Sequence, residues 1–187
     1  MATLDTMQRS DPLSPLPLWV RFFWYSIAGV RDSTQAVWQR LPDHMRNAPY
    51  GDVTEGIAML ALGRNADAER AFREGEAALG HPSPLRVVAL ARLGRTAEAR
   101  TQLKVVEQAF GKPYFGPEFI AAAAAELGDT TTMYRWLETG QRERSGFALM
   151  LGIWNRPFLA HRQEPHFQRI LQRVGLKPVT FGSRPRS

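Results

Sequence analysis

An all-α fold of stacked helical hairpins is what this sequence predicts, and three observations predict it. The stretch ALGRNADAERAF (residues 61–72) is nearly repeated as RLGRTAEARTQL (residues 92–103). Glycines recur in the same local context at 29, 63, 94 and 128, separated by 34, 31 and 34 residues. Each of them follows one apolar, helix-prone segment and precedes another, which reads as helix, glycine, helix, four times over.

The elements follow in order. Residues 1–16, with two prolines near their end, are expected to form a disordered arm. The first pair opens on LWVRFFWY (residues 18–25) and follows the repeat loosely through Thr34, Trp38 and Leu41. In the later copies a glycine ends one helix in the left-handed region, and Asn65, Thr96 or Thr130 is placed to cap the next. Five residues past the glycine stand Ala68 and Ala99, small enough to let two helices approach closely. Phe72, Leu103 and Leu137 come four residues later, and Gly75, Val106 and Gly140 three further on. These offsets trace one helical stripe. The third pair has a shortened first helix after HPSP (residues 81–84), and AAAAAEL (residues 121–127) is a helix whose small side chains permit tight packing. In EPHFQRILQRVGLKP (residues 164–178), Phe167, Ile170, Leu171 and Val174 share one face. Gln168, Arg169, Gln172 and Arg173 take the other, and Gly175 and Pro178 stop the helix. A stacked array needs such a polar-backed cap. Residues 177–187 are expected to be a basic, disordered tail.

This pattern resembles the tetratricopeptide repeat, a helix–turn–helix unit of about 34 residues. Its small–x3–Phe element stands here as Ala68 and Phe72, and Gly56 occupies a place usually held by a small residue. The segments at 114–146 and 155–176 resemble the closing part of bacterial tetratricopeptide proteins, including the C-terminal halves of winged-helix regulators and adenylate cyclases. The resemblance covers residues 17–176. It implies a right-handed α-solenoid of about four helix pairs with a C-terminal capping helix. No unit carries the full aromatic set of the consensus.

Charge is uneven. Residues 1–50 carry +1, residues 51–140 carry −2 and residues 141–187 carry +7, and arginine outnumbers lysine by 21 to 3. An Arg- and Ala-rich composition also fits a GC-rich bacterial genome. The basic quarter, including Arg142, Arg144, Arg156, Arg162, Arg169, Arg173, Lys177, Arg184 and Arg186, offers a nucleic-acid or acidic-partner reading. The lack of interleaved aromatics and of a recognisable motif argues against nucleic acid. No apolar run reaches the roughly 18 residues of a membrane span, and there is no cysteine and no secretory leader pattern, so the expected location is cytoplasmic.

No constellation for catalysis is legible, so the chain is expected not to be an enzyme and to need no cofactor. His44, His81, His161 and His166 are scattered, the two in HRQEPH stand five residues apart instead of four, and Pro165 breaks the helix that would align them, so no metal site is expected. Glu69 with Arg73, and Arg70 with Glu74, read as solvated i,i+4 helix supports.

The resemblance implies that the first helices of successive units line a concave face used for peptides. Counted from the glycines, its inward positions are Trp19, Phe23, Val53, Ile57, Leu60, Val88, Arg92, Glu118 and Ala122. A carboxylate-gripping variant of such sites uses Lys, Arg and Asn where this chain has Trp19, Phe23, Val53, Thr54, His81 and Leu85, which argues against that mode. The expected site is an apolar groove rimmed by Arg92 and Glu118, suited to an amphipathic helix or a hydrophobic peptide segment. The same row also reads as core between units of a tightly wound array. LWVRFFWY carries two readings as well: Trp19, Phe22 and Trp24 covered by residues 11–17, or an exposed end for self-association. The function expected is a protein-binding adaptor. The alternatives are a regulatory or sensory component of a bacterial transcription or signalling system, and the arginine-rich quarter as a binding surface.

Overall fold

The computed structural model describes residues 2–46, 51–111, 115–152 and 157–176. They are all-helical, with no β-strand among the described residues. The helices are α1 (Ala2–Ser10), α2 (Leu16–Ala28), α3 (Arg31–Trp38), α4 (Asp43–Arg46), α5 (Gly51–Leu62) and α6 (Asn65–Leu79). They continue as α7 (Pro84–Arg92), α8 (Thr96–Gln108), α9 (Pro117–Glu126), α10 (Thr130–Arg142) and α11 (Pro165–Arg173). Short 3-10 turns at Gly146–Gly152 and Leu159–His161 link α10 to α11.

The four predicted hinges are real, and they share one construction. Gly29, Gly63, Gly94 and Gly128 all have φ between 71° and 80°. The residue after each glycine donates its backbone N–H to the carbonyl five residues back, at 2.8–3.0 Å, which closes the preceding helix. A Cβ at Gly29, Gly94 or Gly128 would meet nothing within 4 Å, so it is the left-handed backbone and not space that calls for glycine there.

The caps differ from expectation. Asn65, Thr96 and Thr130 are the first helical residues, and the cap position falls one residue earlier, on Arg64, Arg95 and Asp129. Only the Asp129 carboxylate caps among these three, accepting from the Thr132 N–H at 3.0 Å. Arg64 and Arg95 instead reach forward to Asp67 and Glu98. The closing turn at each glycine is so short that the next helix starts at once.

Each hinge folds its two helices together: α2 on α3, α5 on α6, α7 on α8 and α9 on α10. Neighbouring hairpins then touch in chain order, through α3 and α5, α6 and α7, and α7 and α9. The predicted stripe forms the crossings: Thr34, Ala68, Ala99, Phe72, Leu103 and Leu137 are all buried. We expect Ala68→Leu to cost about 1–3 kcal/mol by overpacking the α5–α6 crossing, while Ala66→Leu, on an exposed position, should be nearly silent. Equal losses in urea denaturation of the two variants would mean that the helical frame is misassigned.

Both ends refine the sequence reading. Where a disordered arm is expected, residues 2–10 form α1, which packs on α2 and whose Asp5 pairs with Arg21. Within the aromatic run, Phe22 is wholly buried beside Trp38, Trp19 is half-buried in a stack with Phe23, and Trp24 is exposed. Residues 11–17 therefore do not cover all three. At the other end, α11 buries Phe167, Ile170 and Leu171 and turns Arg169, Gln172 and Arg173 outward. Gln141 of α10 donates to the Ile170 carbonyl at 3.0 Å. Residues 177–187, the expected tail, lie outside the described residues.

Candidate functional site

The first helices of the four hairpins, α2, α5, α7 and α9, contribute side chains to one cavity of about 590 Å3. Its size falls in the range of ligand-holding pockets. Apolar walls come from Phe23, Ile27, Ile57, Leu60, Val88 and Phe119, with Pro157 of the connector at one side. Polar side chains that line it are Ser26, Arg31, Asn65, Arg92 and Glu126. The Ser26 hydroxyl is occupied, donating to the Phe22 carbonyl at 2.8 Å.

Part of the cavity wall is an aromatic contact between the first and fourth hairpins. Phe23 of α2 and Phe119 of α9 approach to 6.4 Å between ring centroids. Trp19 stacks on Phe23 at 5.4 Å, and Phe119 meets Phe115 and Phe147 edge-on at 5.3 and 5.1 Å. This aromatic ladder ties the first hairpin to the fourth, so the inner face is part core and part open pocket.

The expected inward residues divide accordingly. Phe23, Ile57, Leu60, Val88 and Arg92 line the cavity, whereas Trp19, Val53, Glu118 and Ala122 do not. Val53 is buried against Gly75, where a Cβ would sit 3.2 Å from its methyl group. Ala122 is sealed in the core. Glu118, expected on the rim, is only 1% exposed. It stands at the start of α9, too far along the helix from the hinge end, and its carboxyl fills the space left by Gly140 on α10. The acidic residue beside Arg92 is instead Glu126, two turns later, whose Oε1 accepts from Arg92 Nε at 3.1 Å and Nη2 at 2.5 Å. The 34-residue spacing of Arg92 and Glu126 equals the Gly94–Gly128 interval, a signal that the glycine frame already contained.

Glu118 has an unusual environment. Its Oε2 accepts from the Ser145 hydroxyl at 2.7 Å, its Oε1 has no hydrogen-bond partner among the described residues, and no arginine pairs with it. Burial is the main cause that pushes its pKa up; Ser145 opposes this and the Glu143 charge adds to it. A carboxyl raised in the folded state contributes stability that is complete below its unfolded value and is lost as the pH climbs through the folded one. Glu118→Gln should therefore leave stability unchanged near pH 4 and raise it at pH 8 by about 1 kcal/mol, roughly 2–4 °C in Tm. A thermal melt at both pH values tests this; a difference of equal size at the two would reject the buried-charge explanation.

Histidines near the C-terminus are held structurally. His161 Nδ1 lies 2.8 Å from Glu164, and His166 Nε2 lies 2.9 Å from Glu138 while the ring stacks on Tyr134. No cluster of three metal-ligating side chains occurs among the described residues. Of the C-terminal arginines, Arg162 is buried, while Arg169 and Arg173 are exposed. Arg156, Lys177, Arg184 and Arg186 lie outside the described residues. No helix of the described chain is long and apolar enough to cross a membrane. Comparison with protein families, with curated proteins and with solved structures finds nothing that matches this chain.

Proposed function

We propose that this chain is a non-catalytic binding module: a right-handed solenoid of tetratricopeptide-like hairpins that holds a hydrophobic segment of a protein partner in the cavity between its inner helices. The observation that carries this reading is the cavity itself. Side chains from all four hairpins converge on it, and its lining sets apolar groups such as Phe23, Ile57, Leu60 and Val88 beside polar ones such as Arg31, Arg92 and Glu126, a mixture able to hold an apolar group and orient it through polar contacts. The Phe23–Phe119 contact favours an inserted segment over a long helix laid along the whole inner face.

Ile57, which is half-buried on the cavity wall, is the position to test. An arginine there places a charge among apolar groups and should abolish partner recovery in affinity purification, while the helical circular dichroism spectrum stays as in the wild type. Recovery of the same proteins by a folded Ile57→Arg chain would remove the cavity from the binding site.

A further inference from the structure

The exposed Arg31 lines the cavity with no charged partner among the described residues, and we infer from it that the segment bound there bears an acidic residue next to its apolar anchor, paired with Arg31. This rests on the partner-binding reading above and specifies the partner's chemistry.

An arginine follows three of the hinges: Arg31 two residues after Gly29, Arg64 directly after Gly63 and Arg95 directly after Gly94. Two of these are neutralised within their own helix. Arg64 pairs with Asp67 at 2.7 Å and Arg95 with Glu98 at 2.7 Å, three residues on in each case. Arg92 in the cavity wall is neutralised by Glu126. Arg31 differs: three residues on stands Thr34, whose hydroxyl donates to the Val30 carbonyl at 3.0 Å. Asp32, the next residue, does not line the cavity. Among the described residues Arg31 has neither an ion-pair nor a hydrogen-bond partner.

The placement of Arg31 makes the unbalanced charge useful. Its guanidinium leans from α3 across to the end of α5, where Nη2 lies 3.2 Å from the point at which a Cβ on Gly63 would stand. It is thus laid along the cavity lip. An apolar group entering the cavity displaces water from this lip, and with less water a guanidinium–carboxylate pair strengthens. A basic residue at the same place would face an uncompensated arginine. Charge therefore selects acidic-flanked apolar segments over basic-flanked ones.

A random dodecapeptide display library, selected in parallel on the wild-type chain, Arg31→Glu, Arg31→Gln and Ile57→Arg, tests this. The wild type should enrich peptides with large apolar residues flanked by Asp or Glu. Arg31→Glu should retain the apolar residues and exchange the acidic flank for Lys or Arg. Arg31→Gln, which keeps the side chain's reach without its charge, should lose the flank preference altogether. A synthetic peptide from the wild-type selection should bind the Arg31→Gln chain at least about tenfold more weakly. Apolar peptides enriched on the wild type without acidic residues, or the same peptides from Arg31→Glu, would overturn the inference and leave the binding reading standing. Selection of nothing that Ile57→Arg loses would overturn both.

Discussion

Phe72→Ala is expected to destabilise the chain by about 3–5 kcal/mol, a large share of the roughly 5–15 kcal/mol that holds an ordinary domain together. Phe72 is wholly buried at the crossing of α5 and α6. Its ring lies on Gly56, where an added Cβ would stand 2.5–2.7 Å from three ring carbons. Glycine inside a helix ordinarily costs about 0.5–1 kcal/mol relative to alanine, so its presence here reflects the close approach and not backbone conformation. Gly56→Ala alone should consequently lose about 1–2 kcal/mol, overpacking outweighing the helical gain. In the Phe72→Ala background the same methyl group enters vacated space and should become neutral or stabilising. Urea denaturation of the four chains measures this coupling. Additive losses would show that the ring and the glycine do not share the crossing; should Phe72→Ala prove too unstable to refold, Phe72→Leu closes the same cycle.

Removing the Arg86 guanidinium should be nearly as damaging. Arg86 of α7 donates from Nε to Glu69 at 3.0 Å and from Nη1 to Glu76 at 2.7 Å, joining α7 to α6. Glu76 also accepts from the Ser83 N–H at 2.6 Å and from Gln102 of α8 at 2.8 Å. Side chains of all three charged residues are less than a fifth exposed. Arg86→Met would leave Glu76 without a charged partner and Glu69 with only Arg95 at 3.8 Å, at a cost of about 3 kcal/mol at pH 7, the lower end of the range for a broken buried pair. An equal deficit for Arg86→Met in a Glu69→Gln, Glu76→Gln background, measured by parallel urea denaturation, would assign the loss to packing of the arginine stem instead.

The frame of the molecule was legible because it depends on local chemistry that repeats. A glycine that ends a helix in the left-handed region, and a small residue five positions later, leave marks in the chain whatever surrounds them. The hinges at Gly29, Gly63, Gly94 and Gly128 and the buried stripe through Ala68, Phe72, Ala99 and Leu103 were readable for that reason. The site was only half legible. Counting from the hinges placed Phe23, Ile57, Leu60, Val88 and Arg92 on the inner helices, where they do surround the cavity. It could not tell an inward position near the hinge end from one near the far end. Val53, Glu118 and Ala122 consequently fell into the sealed part, and the half-buried Trp19 lies outside the cavity. Glu69 is a second case: its spacing from Arg73 reads as a solvated helix pair, yet it is buried and held by Arg86 from the next hairpin.

By itself, then, the sequence determined the helices, their hinges and the faces they bury, since each follows from side-chain size and backbone freedom within a few residues. Tertiary structure alone decided that α2 and α9 meet through Phe23 and Phe119, that a cavity of about 590 Å3 remains beside them, and that Arg31 lines it with no ion-pair partner among the described residues. Those outcomes depend on how far each hairpin rotates against the one before. That angle is the sum of many small packing preferences between residues remote in the chain, and no short stretch of sequence records it.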